Sequence, residues 1–261
     1  MTTSDAELEE MLRAAYRLGN GPAKFAALDT VFRHADAAGN TRFAFRARLN
    51  ALHDLHHCGE YTRAFMAFSW CLTTFDRHPE VTAPDDEHSL LWRFKWIVWE
   101  LSQFPAVPLD RTVALLDDMQ RRYQAGGHSL HAVYQHRGLV AVHLGDLPAA
   151  GHWFEEMVTA RRDGLSDCRH CVPSSHVSYL VAAGRFEEAI DVGTPYTSGG
   201  CTEQPQWMLS ELLSAYLHTS AIQVVSCTAL PGLGVRNVAK RRMRSARAVI
   251  SGQVAVRASS S

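Results

Sequence analysis

Apolar residues recur every three or four positions along most of the chain up to about residue 219, which predicts a series of amphipathic helices. The first is the clearest, because Ser4 and Glu7 have the spacing of a capping box and Leu8 and Leu12 follow on one face. Glycine and proline separate the periodic runs, and no run alternates with period two for long enough to predict a strand. The pattern predicts an all-α fold with helices at about 5–18, 22–38, 41–57, 61–75, 89–104, 109–124, 128–143, 148–162, 173–183, 185–196 and 205–219.

A short signature recurs between neighbouring helices. It reads glycine, any residue, a large apolar residue, two further residues and alanine, and its copies begin at Gly59, Gly145 and Gly184. Glycine permits a tight exit from the first helix, and the small alanine lets the paired helices approach closely. Gly145 and Gly184 are 39 residues apart, whereas Gly59 and Gly145 are 86 apart, and a degenerate copy of the signature at 107–112 divides this longer separation in two. The units are therefore about forty residues long, which fits two helices of about four turns each. The sequence predicts about five helix–turn–helix units.

These turns resemble the tetratricopeptide repeat, whose second helix often begins Gly-x-aromatic-x-x-Ala. The resemblance covers about residues 7–219, with units longer than is usual in the family. It implies an α-solenoid domain over residues 1–220, with a concave groove lined by the first helix of each unit. It also implies that this groove binds a protein or peptide. A helical bundle without stacked repeats is the alternative architecture.

Composition and the chain's beginning are those of a soluble protein. Hydrophobic residues make up 46% of the 261 residues and charged residues 20%, which is ordinary for a globular domain. The first residues are acidic and lack an apolar core, and no apolar run reaches the ~18 residues of a membrane span. We therefore expect a cytoplasmic protein with no membrane partner, in which cysteines stay reduced.

Three cysteines form the sharpest candidate site. Cys168 and Cys171 have the spacing at which two thiolates of a single turn coordinate one Zn²⁺ ion. Cys201 follows the next predicted helix pair, and the start and end of a helical hairpin lie at the same end, so the fold brings all three together. With His170 as fourth ligand, the sequence predicts a closed, structural zinc site.

Both the fourth ligand and the metal have alternatives. His176 is a second candidate for the fourth position, and Asp167 or Glu203 are less favoured ones. The three cysteines are alternatively ordinary residues of a helical protein, or they include a redox pair.

Two further groups of residues are candidate binding surfaces. Trp92, Trp96 and Trp99 share one face of a predicted helix. They either form the floor of a binding groove or pack in the core, and their apolar neighbours favour core packing. Three arginines on the predicted helix at 41–57 either contact an acidic peptide or form a solvated face: Arg42, Arg46 and Arg48. Phosphate-loop, dinucleotide-binding and Gly-x-Ser-x-Gly motifs are absent from the sequence, so we predict a non-enzymatic scaffold that binds proteins or peptides, with a regulatory role as one option.

The pattern changes at residue 221. Residues 221–261 hold seven basic and no acidic residues, which leaves 19 basic against 27 acidic residues in 1–220. We expect this tail to be disordered. It is interpreted either as a basic arm that contacts nucleic acid or an anionic membrane, or as the product of a shifted reading frame. An arm on nucleic acid would make the protein a nucleic-acid-binding regulator. A shifted frame would leave the last repeat without a polar capping face.

Overall fold

The computed structural model describes residues 3–198, 201 and 206–219 of the chain. All regular structure within these residues is helical, with no strand, which confirms the predicted all-α class. Two short 3-10 turns, Pro79–Val81 and Thr194–Tyr196, accompany the α-helices. The α-helices of the described residues are α1 Asp5–Arg17, α2 Pro22–Ala37, α3 Thr41–His57, α4 Tyr61–Arg77, α5 Asp86–Ser102, α6 Leu109–Ala125, α7 His131–His143, α8 Leu147–Thr159, α9 Cys171–Ala182, α10 Phe186–Gly193 and α11 Trp207–His218.

Local signals in the sequence set where the helices begin. Ser4 caps α1 through the predicted capping box: the Ser4 N–H donates to Glu7 Oε2 at 2.7 Å, and the Glu7 N–H donates to Ser4 Oγ at 3.4 Å. The side chain of Asn40 accepts the Phe43 N–H at 3.0 Å and starts α3 at the predicted residue. Each cap satisfies a backbone N–H that has no partner within its helix.

The signature glycines end the first helix of three helix pairs. Gly59, Gly145 and Gly184 have φ angles of 75°, 77° and 72°, in the left-handed region that side chains with a Cβ rarely adopt. After each glycine, the next N–H reaches back to close the helix end, as in the 2.9 Å bond from Asp146 N to Ala141 O. The structure therefore confirms the turn role predicted for these glycines.

Helices pack mainly against near neighbours in the chain. α1 packs with α2, α3 with α4, α5 with α6, α7 with α8, and α9 with α10, as antiparallel pairs joined by short turns. The second helix of each pair also contacts the first helix of the next pair. From α3 onwards the first helices contact one another in sequence, α3 with α5, α5 with α7, α7 with α9 and α9 with α11.

From α3 onwards, the first helix of each pair is more buried than the second. α3 buries nine of its 17 residues, whereas α4, of equal length, buries five. The signature alanines Ala64, Ala150 and Ala189 are only 1%, 0% and 0% exposed, which confirms that they lie where paired helices meet. Gly138 of α7 allows a still closer approach, because a Cβ there would lie 2.8 Å from the Phe154 ring of α8. These small residues bring the paired helices close together.

The last described helix, α11, has two apolar faces. Met208 and Leu212 are buried against α9 and α10. On the other face Leu209, Leu213 and Leu217 follow one another at four-residue spacing and are 41%, 50% and 40% exposed. No helix in the described residues combines the length and apolar character needed to cross a bilayer.

Candidate metal centre

The three predicted cysteines meet at one end of the α9–α10 pair. Cys168 lies in the loop before α9, Cys171 is the first residue of α9, and Cys201 follows the 3-10 turn that ends the α10 segment. Their Sγ atoms all lie within 4.8 Å of one another, and all three are free thiols. In the described residues this is the one group of three or more His, Cys, Asp or Glu side chains close enough to share a metal ion. The hairpin argument from the sequence is thus confirmed for the three cysteines.

The spacing of the thiols suits a tetrahedral metal ion. A Zn²⁺ ion with Zn–S bonds of about 2.3 Å separates its sulfur ligands by about 3.8 Å. Because the Sγ atoms already lie within 4.8 Å of each other, shifts of roughly 1 Å or side-chain rotations would complete such a set. Three soft sulfur ligands favour Zn²⁺ over hard cations such as Mg²⁺ or Ca²⁺.

The electrostatics of the cluster favour one thiolate and oppose a second. Burial raises the pKa of Cys168, but hydrogen bonds from the backbone N–H groups of Cys171 and His170, together with those from the thiols of Cys171 and Cys201, lower it below its ordinary value. Burial raises the pKa of Cys171 far above its ordinary range, and the thiols of Cys168 and Cys201 raise it further. A divalent cation between the sulfurs would remove this repulsion and deprotonate the remaining thiols.

The turn between Cys168 and Cys171 is closed by its own backbone. The Cys171 N–H donates to Cys168 Sγ at 3.3 Å, and the Val172 N–H donates to Cys168 O at 3.2 Å. An N–H···S bond of this kind is typical of a thiolate ready to act as a metal ligand, because it stabilises the negative sulfur.

The proposed fourth ligands lie in different surroundings. His170 is outside the group of atoms within 4.8 Å; its ring meets the Tyr196 ring edge-on, with centroids 6.2 Å apart. Its Nδ1 is buried and has no hydrogen-bond partner among the described residues. His176 packs instead between Phe154 and Tyr179, with centroid distances of 5.8 and 6.2 Å. Glu203 lies outside the described residues, so His170 as fourth ligand stays a prediction.

Asp167, next to Cys168, is fully engaged elsewhere. Its Oδ1 accepts from Lys95 Nζ at 2.6 Å and its Oδ2 from Gln135 Nε2 at 2.9 Å. Burial raises the pKa of Asp167, but the charges of Lys95 and His136 and the hydrogen bonds from Lys95 and Gln135 together lower it below its ordinary value, so the residue is a carboxylate. This pair could not be predicted from the sequence, because a lone lysine in an apolar helix resembles an ordinary surface charge.

The comparisons with known proteins identify no relative. No protein-family model, no curated protein and no solved structure matches this chain. The case for a metal centre therefore rests on its own side chains.

A second group of side chains, which we name the Trp96 face, lies between α3 and α5 and consists of His53, His56, His57, Arg93 and Trp96. The His56 ring stacks on Trp96, with centroids 4.8 Å apart and planes 21° apart. The rings of His53 and His57 approach the same indole at 5.9 and 5.2 Å, and Arg93 Cζ lies 4.9 Å from its centroid. Trp96 is half-buried, and imidazoles and a guanidinium surround its ring, so the prediction of core packing does not hold for this part of the ring.

The other two tryptophans of the predicted stripe lie at the edge of the core. Trp92 and Trp99 are half-buried and pack against the main apolar cluster and a smaller one, respectively. For them the core prediction holds on one side of each ring.

The arginines of α3 do not form a free anion-binding row. Arg48 is buried, and its Nη2 lies 2.6 Å from Asp36 Oδ2, so neither its peptide-binding nor its solvated interpretation holds. The other two are exposed and each contacts an acceptor of the chain: Arg42 at Glu80 O (2.9 Å) and Arg46 at the Glu9 carboxylate. The predicted tail at 221–261, with its nucleic-acid alternative, lies outside the described residues.

Proposed function

We propose that this chain is a non-enzymatic, tetratricopeptide-like scaffold that binds a protein or peptide segment, and that a structural zinc ion at the three cysteines stabilises its C-terminal part. The packing order of the helices supports the repeat architecture. From α3 to α9, each first helix contacts its own partner, the preceding second helix and the next first helix, which is how helical hairpins stack. In such a stack the first helices line the concave surface, and the Trp96 face belongs to two of them.

The observation that carries the binding proposal is a set of polar atoms without partners beside an accessible indole. Arg93 Nε and His56 Nδ1 are buried and have no hydrogen-bond partner among the described residues. Glu100 Oε1 lies 3.2 Å from His56 Nε2 but makes no hydrogen bond with it. Buried polar groups in a native protein normally have partners, and a bound ligand that offers acceptors would satisfy these atoms.

The chemistry of the Trp96 face fits a peptide. Arg93 Nε is a donor, and the imidazole of His56 presents a donor in one tautomer or when charged, so the ligand has to offer acceptors. Backbone carbonyls and carboxylates do so. Tryptophan and arginine are also the residues most enriched among those that dominate protein–protein binding energies.

The test is selection of random linear peptides, displayed on phage, against the full chain. Peptides that are enriched are then measured by fluorescence anisotropy on Trp96→Ala. Because loss of a central tryptophan commonly costs 2 kcal/mol or more, we expect about 30-fold or greater weakening.

Trp153 of α8 provides the matched control. It is also half-buried, its ring stacks on Tyr134 at 5.8 Å, and Arg137 Cζ lies 5.0 Å from its centroid, but it belongs to a second helix. Trp153→Ala should bind the selected peptides like the wild type. Equal weakening by both changes, or a failure to enrich any peptide, would contradict the proposed binding face.

The zinc proposal has its own test. We expect a native mass spectrum of the full chain to show the added mass of one zinc ion, lost in Cys168→Ser and in Cys201→Ser. Cys58, an exposed thiol on the α3–α4 turn, is the control, and Cys58→Ser should keep the metal. A metal-free spectrum with all thiols alkylated would refute the site, and a mass lower by two hydrogens would indicate the redox pair instead.

The fourth ligand is tested separately. We propose His170, because its buried Nδ1 has no hydrogen-bond partner in the described part of the chain and it lies between two of the cysteines in sequence. His170→Ala should weaken zinc binding in a competition with a chromophoric chelator, whereas His176→Ala should not. The reverse ranking would transfer the role to His176.

A further inference from the structure

Lys95 of α5 is buried more completely than a lysine normally is. Its side chain has 0% exposure. Nζ lies 2.6 Å from Asp167 Oδ1, 2.8 Å from Leu165 O and 3.4 Å from the centroid of the Trp92 ring. These contacts surround the ammonium with a carboxylate, a carbonyl and an aromatic face, which together offset the loss of water. They also occupy its donors, which argues against a nucleophilic role for this amine.

The network continues from Asp167 into two further helices. Gln135 of α7 donates through Nε2 to Asp167 Oδ2 at 2.9 Å and to Ser175 Oγ at 2.8 Å. Ser175 of α9 in turn donates to Cys171 O at 3.0 Å. We name Lys95, Gln135, Asp167 and Ser175 the Lys95 network.

The Lys95 network holds the metal-binding turn on both sides. Before Cys168 it binds the carbonyl of Leu165 and the carboxylate of Asp167; after Cys168 it binds the carbonyl of Cys171. The backbone of the segment is held as well, since Arg162 Nη2 donates to Asp167 O at 2.5 Å. The turn that carries two of the three thiols is therefore anchored to α5, α7 and α9 without any metal.

We infer that Lys95, acting through Asp167, is a positioning residue of the metal site that fixes the Cys168–Cys171 turn in its ligating arrangement before the metal binds. The inference rests on the zinc site proposed above. A turn that is ordered beforehand loses less conformational freedom on binding, so affinity rises. Partners that orient metal ligands from outside the coordination sphere commonly change affinity 10- to 100-fold when removed.

The experiment compares Lys95→Met with Lys24→Met in the full chain. Lys24 is an unusually close match: it is 5% exposed, its Nζ lies 2.5 Å from Asp54 Oδ2, and it lies 4.7 Å from the Tyr16 ring centroid. That pair joins α2 to α3, away from the cysteines in sequence. Both changes remove a buried ammonium from a partly exposed carboxylate, 21% exposed for Asp54 and 18% for Asp167, and keep an unbranched apolar chain.

The first readout is the zinc dissociation constant from chelator competition. We expect Lys95→Met to weaken zinc binding about 10- to 100-fold and Lys24→Met to change it less than about twofold. The second readout needs no metal: amide hydrogen exchange in the segment 166–171 should be faster in metal-free Lys95→Met than in wild type, and unchanged in Lys24→Met.

A milder change covers the case in which Lys95→Met does not fold. Ser175→Ala removes only the hydroxyl that links Gln135 to Cys171 O, and it should also weaken zinc binding and speed exchange in 166–171, to a smaller extent. Circular dichroism confirms that each variant is helical before it is measured.

The outcomes separate this inference from the zinc site itself. A wild-type chain that binds no zinc overturns both. If Lys95→Met and Ser175→Ala both bind zinc with the wild-type dissociation constant, the positioning role is overturned, but the zinc site is not. Equal weakening by Lys95→Met and Lys24→Met would mean that general destabilisation is the cause, and it also overturns the positioning role.

Discussion

The glycine at the α7–α8 turn offers a direct test of why the signature needs glycine. In Gly145→Ala the new methyl group meets no atom within 4 Å, so crowding plays no part. What changes is the backbone, because Gly145 has a φ of 77°. An L-residue with a side chain loses roughly 1–2 kcal/mol in this left-handed region.

Gly19 provides a control for the effect that alanine has on the unfolded chain. Alanine stiffens the unfolded state relative to glycine, which by itself stabilises a protein by about 0.4–1 kcal/mol. Gly19→Ala carries that gain without the backbone cost, since Gly19 is outside the left-handed region and has equally open space around it. The difference between the two variants thus isolates the cost of the turn, about 1–2 kcal/mol, or roughly a 5- to 30-fold change in the unfolding equilibrium.

The assay is urea unfolding of both variants and the wild type, with a chelator present so that metal does not contribute. Gly19→Ala should be slightly more stable than wild type and Gly145→Ala less stable. Gly145→Asn should lie between Gly145→Ala and wild type, because asparagine tolerates the left-handed region. Equal midpoints for Gly19→Ala and Gly145→Ala would refute the turn argument.

Three further predictions test the packing, the pH dependence and the thiols. Gly138→Ala should destabilise by about 1–3 kcal/mol, because its Cβ would lie 2.8 Å from Phe154; a double-mutant cycle with Phe154→Leu should recover part of that cost, and additive effects would contradict it. Burial lowers the pKa of His131, His136 and His176, so the folded protein binds fewer protons than the unfolded chain, and stability in urea should fall as pH drops from about 6.5 towards 5; a flat profile would contradict this. Cys71 is fully buried, and burial raises its pKa to about 12, so iodoacetamide should label exposed Cys58 in the native protein and Cys71 only on unfolding; equal labelling rates would argue against the fold.

Local chemistry explains why much of the fold could be predicted. Asn40 and the glycine after α3 mark both ends of that helix in the sequence, and the predicted range 41–57 matches Thr41–His57. The signature alanines could be placed at helix contacts because their spacing from a turn glycine fixes which way they face. Turn, cap and helix period are all properties of a few neighbouring residues, so a single sequence reveals them.

The cysteine cluster could be predicted for a different reason. Once a helical hairpin is assumed, its geometry brings the residue before its first helix close to the residue after its second, and Cys168 and Cys201 occupy those places. The ring position of His170 does not follow from topology, because it depends on side-chain rotation at the start of α9.

The Lys95 network could not be predicted from local pattern. Lys95 lies among apolar residues of a predicted helix, and nothing near it in sequence suggests a partner. Its carboxylate comes from a loop after three further helices, and only the packing of α5, α7 and α9 brings the two together. The surroundings of Trp96 could not be predicted either. Its neighbours in sequence are apolar and favoured core packing, whereas imidazoles of α3 surround its ring.

The 72-residue separation between Lys95 and Asp167 has a consequence for protein synthesis. At about 5–20 residues per second, a ribosome makes the lysine roughly 4–14 s before the aspartate that neutralises it. During that interval α5 and its partner α6 are complete, yet burying the ammonium without its carboxylate is unfavourable. The nascent chain should therefore keep α5 open to solvent and to chaperones until the loop before α9 has emerged.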